Sequence, residues 1–193
     1  MSPQDIRETL ILKTIEVMAN EGLDKTTTKA ITKGTGINEV YIYRHFSNKE
    51  GLQAKVFEAL DEELMAAVDE NIEIMYMAEM AFDVRCRFYF DKIWKFLLSN
   101  REKCLAFIRY YYSPHYSKYS AKEHKIRYKP IVEKFSSAFK EESDVWMILN
   151  HILHVMLAFA VMVHDEQMPN EDIYSEHVFR VIYASVEQYF KNT

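Results

Sequence analysis

The scarcity of helix-breaking residues constrains this chain more than any other feature of its sequence. Only four glycines and four prolines occur among 193 residues, and these two residue types interrupt helices most strongly. Apolar residues make up 49% of the chain, which is enough for a core in one compact unit or two small ones. The composition excludes disordered, collagen-like and linker proteins and predicts an all-α fold.

Three short helices and a longer fourth are predicted at the N-terminus. Ser2 and Pro3 form a helix-start signal and Gly22 a left-handed stop, so the first helix lies between them. A short second helix follows the hydroxyl pair Thr26-Thr27 and ends before the glycine pair 34 and 36. The third helix is predicted at 39–46.

Polar caps predict where the third and fourth helices begin. Asn38 is the expected cap of the third, and Ser47-Asn48-Lys49-Glu50 is a capping box that starts the fourth. Three short helices with a longer one leading away are the usual arrangement of a helix-turn-helix module. We therefore predict an N-terminal helix-turn-helix domain over residues 1–48 and a helical bundle over 49–193.

The bundle is predicted from its apolar periodicity and its prolines. Pro114 and Pro169 suit loops, whereas Pro130 lies inside a helical pattern and is expected to kink or split it. The predicted helices are at 82–98, 101–112, 118–140, 143–165 and 170–191.

Three observations predict a cytoplasmic location without a membrane partner. The N-terminus lacks the basic-then-apolar order of a signal peptide. The apolar stretch 145–163 is interrupted by Asn150, His151 and His154, which favours a buried or subunit-interface helix. Cys86 and Cys104 are far apart and are interpreted as free thiols.

The charge is distributed unevenly along the chain. The formal net charge is −5, yet residues 25–49 hold five basic side chains against Glu39 alone, a net charge of +4. The remainder therefore sums to −9. This pattern predicts a small basic face, able to meet phosphate, on an acidic body.

Residues 11–60 resemble the N-terminal DNA-binding domain of the TetR family of bacterial transcriptional regulators. The resemblance is carried by Glu21-Gly22, Thr26-Thr27, Ile31, Gly36-Ile37, Tyr43-Arg44-His45-Phe46, Lys49-Glu50 and Leu52. It implies that the helical remainder binds a small molecule.

The third helix is narrow enough for the major groove, where base edges offer distinct donors and acceptors. Its predicted solvent face carries Asn38, Glu39, Tyr41, Arg44 and His45. The expected phosphate contacts are Tyr43, His45 and Lys49, with Thr27 and Lys29 on the opposite strand.

The start of the third helix departs from the common family pattern at positions that would affect which DNA sequence is bound. Tyr41 is bulkier than the usual Thr, and Val40 replaces a smaller residue. Glu39 stands where Lys is frequent, and it either accepts from a cytosine amine or repels phosphate. The operator sequence therefore does not follow from these residues.

The aromatic content of the bundle invites a ligand pocket, and the resemblance implies one. Bundle pockets form between helices and are mostly apolar with a few polar groups. The candidate ligand-binding residues are Phe90, Trp94, Phe107, Tyr111, Trp146, His151 and His154. The two histidines remain open as pocket, core, interface or metal residues, although no ligand spacing supports a metal, and no cofactor is expected.

These features together predict a regulator rather than an enzyme. The sequence contains no nucleophile elbow, glycine-rich phosphate loop or recognisable acid pair. We expect a homodimer, joined through the last two helices, that binds an inverted-repeat operator and releases it, as a repressor would, when a small molecule binds. The alternative is a helical small-molecule or metal sensor, or an interaction protein, without operator binding.

Overall fold

The computed structural model describes residues 2–191, and it is all-α. Within that range no strand forms, and the one isolated antiparallel bridge joins Phe139 to Phe190. Short 3-10 turns lie at Ile72–Tyr76, Ser136–Ala138 and Glu187–Tyr189. The α-helices are α1 Pro3–Glu21, α2 Thr28–Thr32, α3 Val40–Phe46, α4 Lys49–Glu70, α5 Phe82–Ser99, α6 Arg101–Tyr111, α7 Pro114–Tyr119, α8 Ala121–Phe135, α9 Val145–His164 and α10 Asp172–Val186.

The first packing unit comprises the chain up to Glu63 together with Arg101–Ile126. In it α1 packs along α6. The Arg109 guanidinium donates to the carbonyls of Met18 and Ala19 at 2.9 and 2.8 Å. Because α1 has no basic residue in its own last turn, Arg109 supplies the positive charge that the C-terminal end of a helix favours.

The second packing unit comprises Leu64–Asn100 and the chain from Arg127 onward. Here α5 packs against α9 and α10, and α9 packs against α10. Arg87 on α5 is bonded to the Asp91 carboxylate at 2.9 Å and to Glu176 on α10. The predicted division at residue 48 concerns function and stays a prediction.

The helix predicted at 118–140 was wrong in its bounds, as was the loop expected at Pro114. Pro114 instead occupies the first turn of α7, where its missing N–H costs nothing, and α8 ends at Phe135. Pro130 does not split α8. Ile126, whose carbonyl loses its helical donor to the proline four residues later, and Pro130 are both exposed residues.

The cap of α4 is also one residue later than predicted. The Asn48 Oδ1 atom accepts the Gly51 backbone N–H at 2.7 Å. Ser47, the expected cap, has a φ of 68° and ends α3 instead. The capping-box prediction was therefore right about the helix start and wrong about the residue that caps it.

A buried polar pair lies in the first unit. Asp61 and His124 are 0% and 1% exposed, and the His124 Nδ1 atom lies 2.9 Å from the Asp61 Oδ1 atom. Asp61 is thus a buried carboxylate although it lies in an acidic stretch of α4. The spacing held a signal, because Asp61 follows buried Phe57 by four residues and precedes buried Leu64 by three.

Helix α9 is the only helix of residues 2–191 that is long and apolar enough to cross a membrane. The core helix of a soluble protein meets the same criterion, so length and composition by themselves assign no membrane location. Only 33% of its most apolar window is buried. The helix therefore keeps apolar surface exposed in the single chain.

Candidate nucleic-acid interface

Helix α3 has one buried and one exposed face. Ile42 and Phe46 are buried, whereas Tyr43 and Arg44 are exposed. The Arg7 guanidinium lies 4.9 Å from the centre of the Phe46 ring and donates to the His45 carbonyl at 3.2 Å. These contacts with α1 fix the orientation of α3, so its polar face points to solvent.

A left-handed turn separates α2 from α3. Gly34 and Gly36 have φ values of 78° and 71°, which L side chains rarely adopt. Thr27 caps α2, because its Oγ1 atom accepts the Ala30 N–H at 3.1 Å. The buried Ile31 holds α2 against the core. Two short helices joined by this turn form a helix-turn-helix.

The nine predicted DNA-contacting residues all lie in the first unit, on α2, α3 and their flanks. Four of them, Glu39, Tyr41, His45 and Lys49, are half-buried. The Tyr41 and His45 rings stack with centroids 6.0 Å apart. The exposed members are Thr27, Lys29, Asn38, Tyr43 and Arg44.

Glu39 and Asn38 organise the start of α3. The Glu39 carboxylate accepts a hydrogen bond from the Thr28 hydroxyl at the start of α2. Asn38 accepts the Val40 N–H at 2.9 Å. Glu39 thus joins α3 to α2, a role that the sequence did not indicate, and contact of either residue with DNA stays a prediction.

Two cations lie near the start of α4. The Lys49 ammonium is 3.7 Å from the Glu50 carboxylate. A hydrogen bond to Tyr119 and the nearby Glu50 carboxylate both raise the pKa of Lys118 on α7. The sequence did not indicate that Lys118 lies near the start of α4, because no local pattern shows that α7 returns towards α4.

The structure does not bring the seven predicted ligand-binding residues together. Phe107 and Tyr111 lie in the first unit, where Phe107 packs on Phe57 with ring centroids 5.0 Å apart. In the second unit, Phe90 and Trp94 stack at 5.7 Å.

The remaining three candidates are spread over α9. Trp146 meets the Tyr128 ring edge-on at 5.4 Å. His151 is exposed and bonded to the Ser185 hydroxyl at 3.0 Å, and His154 is half-buried. Ligand binding by any of the seven stays a prediction.

An apolar cavity of ≈ 120 Å³ lies in the second unit, and Phe90 is the only one of the seven that lines it. Its other lining residues come from α4, α5, α8, α9, α10 and the adjoining 3-10 turns. Sequence reasoning missed them, although Phe179 and Tyr183 stand four apart on α10. They include Met65, Val68, Met75, Cys86, Tyr89, Tyr128, Leu149, Ile152, Met156, Phe179 and Tyr183.

Metal ligation has little support from the geometry. In the described part of the chain, no three or more His, Cys, Asp or Glu side chains are placed to hold a metal ion.

The fold and the exposed face of α3 define a helix-turn-helix DNA-binding protein. Residues 10–56 match the family model described as bacterial regulatory proteins, tetR family. The N-terminal segment thus matches the DNA-binding domain of that family, and the whole chain shares the fold of solved TetR-family regulators. A search of curated proteins gave no significant match.

Solved structures of transcriptional regulators share the fold over 97–100% of this chain. A TetR family transcription regulator from Marinobacter aquaeolei VT8 is 13% identical, with 100% of both chains covered and a TM-score of 0.75. A transcriptional regulator from Rhodococcus sp. Rha1 is 17% identical, with 100% of both chains covered and a TM-score of 0.70. A TetR-like regulator from Rhodococcus sp. RHA1 is 14% identical, covering 97% and 99%, with a TM-score of 0.68.

Proposed function

We propose that this protein is a cytoplasmic transcriptional repressor that binds an inverted-repeat operator as a homodimer and leaves it when a small molecule binds. Residues 1–48 read the DNA, and residues 49–193 bind the ligand and dimerise. The polar face of α3 carries the proposal, because Tyr43 and Arg44 project from a helix whose opposite face is anchored by Ile42 and Phe46.

The base-reading and phosphate-binding roles follow from position. Arg44 and the ring pair of Tyr41 and His45 face the major groove, where base edges differ. Tyr43 and Lys49 bind phosphate oxygens on one strand, and Thr27 and Lys29 bind those on the other. The net charge of +4 over residues 25–49 supplies the sequence-independent attraction.

Dimerisation through α9 and α10 is supported by the apolar residues that they expose. Met147 is 56% exposed, Ile173 57% and Val181 56%. Isolated exposed apolar residues are ordinary, but here they occur on two adjacent helices of one unit. Pairing these helices with those of a second copy forms a four-helix interface.

The ligand site that we propose is the cavity of the second unit. It lies between helices and is almost wholly apolar, as small-molecule sites in bundles are. A ligand dissociates the complex by binding more tightly to a conformer whose two recognition helices are wrongly spaced for DNA. Phe90 is the predicted ligand residue retained in this proposal.

Selection of the purified protein against random duplex DNA tests the proposal. We expect enrichment of an inverted repeat with one fixed half-site separation. Tyr43→Ala and Lys49→Ala should abolish or strongly weaken that enrichment. Two surface variants are the controls: Tyr112→Ala replaces another exposed tyrosine, and Lys55→Ala an exposed lysine on α4.

The controls make the outcomes distinct. Enrichment that is lost in Tyr43→Ala but kept in Tyr112→Ala supports operator reading by α3. Failure to enrich any sequence at low salt contradicts operator binding and favours a sensor or interaction protein. Unchanged operator affinity in the two α3–α4 variants contradicts the assigned roles of Tyr43 and Lys49.

A further inference from the structure

We propose that the cavity of the second unit takes an uncharged, hydrocarbon-rich molecule with the bulk of about one six-membered ring. This inference rests on the proposed ligand role of the cavity and deepens it by naming the ligand class. Four features carry it: the side chains that line the cavity, the neutrality of their polar atoms, the placement of the two neighbouring cations, and the cavity volume.

The lining contains no charged side chain. Among the described residues that surround the cavity, none is Asp, Glu, Lys, Arg or His. The walls are mainly aliphatic and aromatic, with Leu149, Ile152 and Met156 from α9 and Phe179 from α10. A ligand carboxylate, phosphate or ammonium would therefore lose its hydration without gaining an ionic partner.

The polar atoms of the lining are neutral phenols and one thiol. The Tyr89 hydroxyl donates to the Val68 carbonyl at 3.0 Å, so its proton is already used within the protein. Burial raises the pKa of the Cys86 thiol to about 12 and also raises the pKa of Tyr183. These groups stay protonated near neutral pH, and they leave the cavity without a fixed charge.

Two cations on α5 lie beside the cavity without lining it. The Arg87 guanidinium lies 5.5 and 5.3 Å from the centres of the Phe90 and Phe179 rings and is paired with the Asp91 and Glu176 carboxylates. Arg85 on α5 does not line the cavity, but it donates to the carbonyl of Met75, which does. Its guanidinium also lies 5.2 Å from the centre of the Phe82 ring. Both guanidinium groups therefore contact residues of the cavity wall from outside, and neither lines the cavity.

The volume limits the ligand to a small molecule. The cavity measures ≈ 120 Å³. For comparison, an engineered apolar cavity of about 150 Å³ in another protein stays dry and binds benzene. A single ring therefore matches this cavity, and the gain comes from apolar surface that leaves water.

Binding of matched neutral and charged probes to the full-length protein tests the inference. The neutral probes are benzene and cyclohexane, and the charged ones of similar bulk are benzoate and cyclohexylammonium. Calorimetry at pH 7.5 should give saturable binding of a neutral probe at one per chain, and at least tenfold weaker binding of its charged counterpart. Equal or tighter binding of a charged probe, or no binding of either neutral one, overturns the inference.

A cavity-filling variant locates the binding. Leu149→Trp adds bulk to the lining and should weaken neutral-probe binding at least tenfold. Leu12→Trp makes the same change at an exposed position on α1 and should leave binding unchanged. If Leu149→Trp does not fold, Ile152→Phe takes its place, and unchanged binding in a folded filling variant overturns the assignment.

Operator release is measured separately, so that the two proposals fail in different ways. Neutral-probe binding that is lost on filling the cavity supports the ligand class, whatever its effect on DNA. If bound probe leaves operator affinity unchanged, release by this ligand is contradicted while the ligand class stands. If only charged molecules bind in the cavity and release DNA, the ligand class is overturned and the repressor mechanism stands.

Discussion

At the scale of single residues, Asp61 and His124 form a buried polar pair in the first unit. Both side chains are within 1% of full burial and 2.9 Å apart. Removing one member of such a pair takes away a charged hydrogen-bond partner of the other, which stays buried. We expect Asp61→Ala to lower the free energy of unfolding by about 3 kcal/mol.

Chemical denaturation monitored by circular dichroism checks this prediction. The control is Glu62→Ala, which removes a carboxylate from the next, exposed position of α4 and should cost less than about 0.5 kcal/mol. Equal losses in the two variants would mean that burial of the pair contributes nothing to stability.

Gly51→Ala gives a second prediction at the residue scale. The sign of its change in stability distinguishes helix propensity from a backbone clash. Helix propensity alone predicts that Gly51→Ala in α4 stabilises the protein by about 1 kcal/mol. A Cβ at this position, however, would lie 2.2 Å from the backbone carbonyl oxygen of Phe46. Since backbone cannot swing aside as a side chain does, we expect a loss of about 1–3 kcal/mol instead.

Urea unfolding of Gly51→Ala decides between the two. The α3–α4 junction must shift to admit the methyl group, so operator affinity should fall as well. Ala54→Gly in the same helix is the propensity control and should cost about 1 kcal/mol. A more stable Gly51→Ala variant would show that the junction yields without strain.

At the scale of helices and turns, Ser47 and Asn48 are the two candidate caps of α4, and their substitutions should differ in cost. Asn48 accepts the Gly51 N–H, whereas Ser47 has left-handed backbone at the end of α3. Asn48→Ala should therefore cost about 1 kcal/mol. Ser47→Ala should cost less than about 0.5 kcal/mol, because it removes no cap. Thermal unfolding of the two variants checks this, and a larger loss in Ser47→Ala would restore the capping box read from the sequence.

The ends of α1 and the start of α2 were predictable because they are set by residues close in sequence. The caps and stops at Ser2, Gly22 and Thr27 act within one turn of the chain, and the structure has them where the sequence predicts. Pro130 was expected to kink or split α8, and it does not split it. The cost of an internal proline depends on whether the freed carbonyl is hydrated, which only tertiary structure decides. The candidate DNA-binding face could be proposed from the sequence because its residues are close in sequence, within one segment of about twenty residues.

The cavity could not be predicted in this way. Its walls come from five helices and adjoining turns, and no periodicity within one helix states which neighbour it meets. Phe107 and Phe90 occupy comparable apolar positions on α6 and α5, yet they lie in different packing units. Residue type alone could not show that Phe90 lines the cavity and Phe107 does not.

At the scale of the whole molecule, operator reading requires two recognition helices about 34–36 Å apart, and a single chain carries one. We expect Val181→Glu on α10 to prevent dimerisation. Val181 is 56% exposed in the single chain, so the carboxylate is tolerated there. In the proposed interface it would be buried beside its symmetry mate without a cation.

Sedimentation velocity at micromolar protein should therefore show Val181→Glu as a folded monomer. Its operator affinity should fall about 10²-fold or more, because the second half-site no longer binds as an intramolecular event. Val84→Glu is the matched control, because Val84 on α5 is also exposed, at 41%. This variant should remain a dimer with full operator affinity. If Val181→Glu stays dimeric, the copies meet elsewhere; if Val84→Glu becomes monomeric, the interface includes α5 rather than α9 and α10 alone.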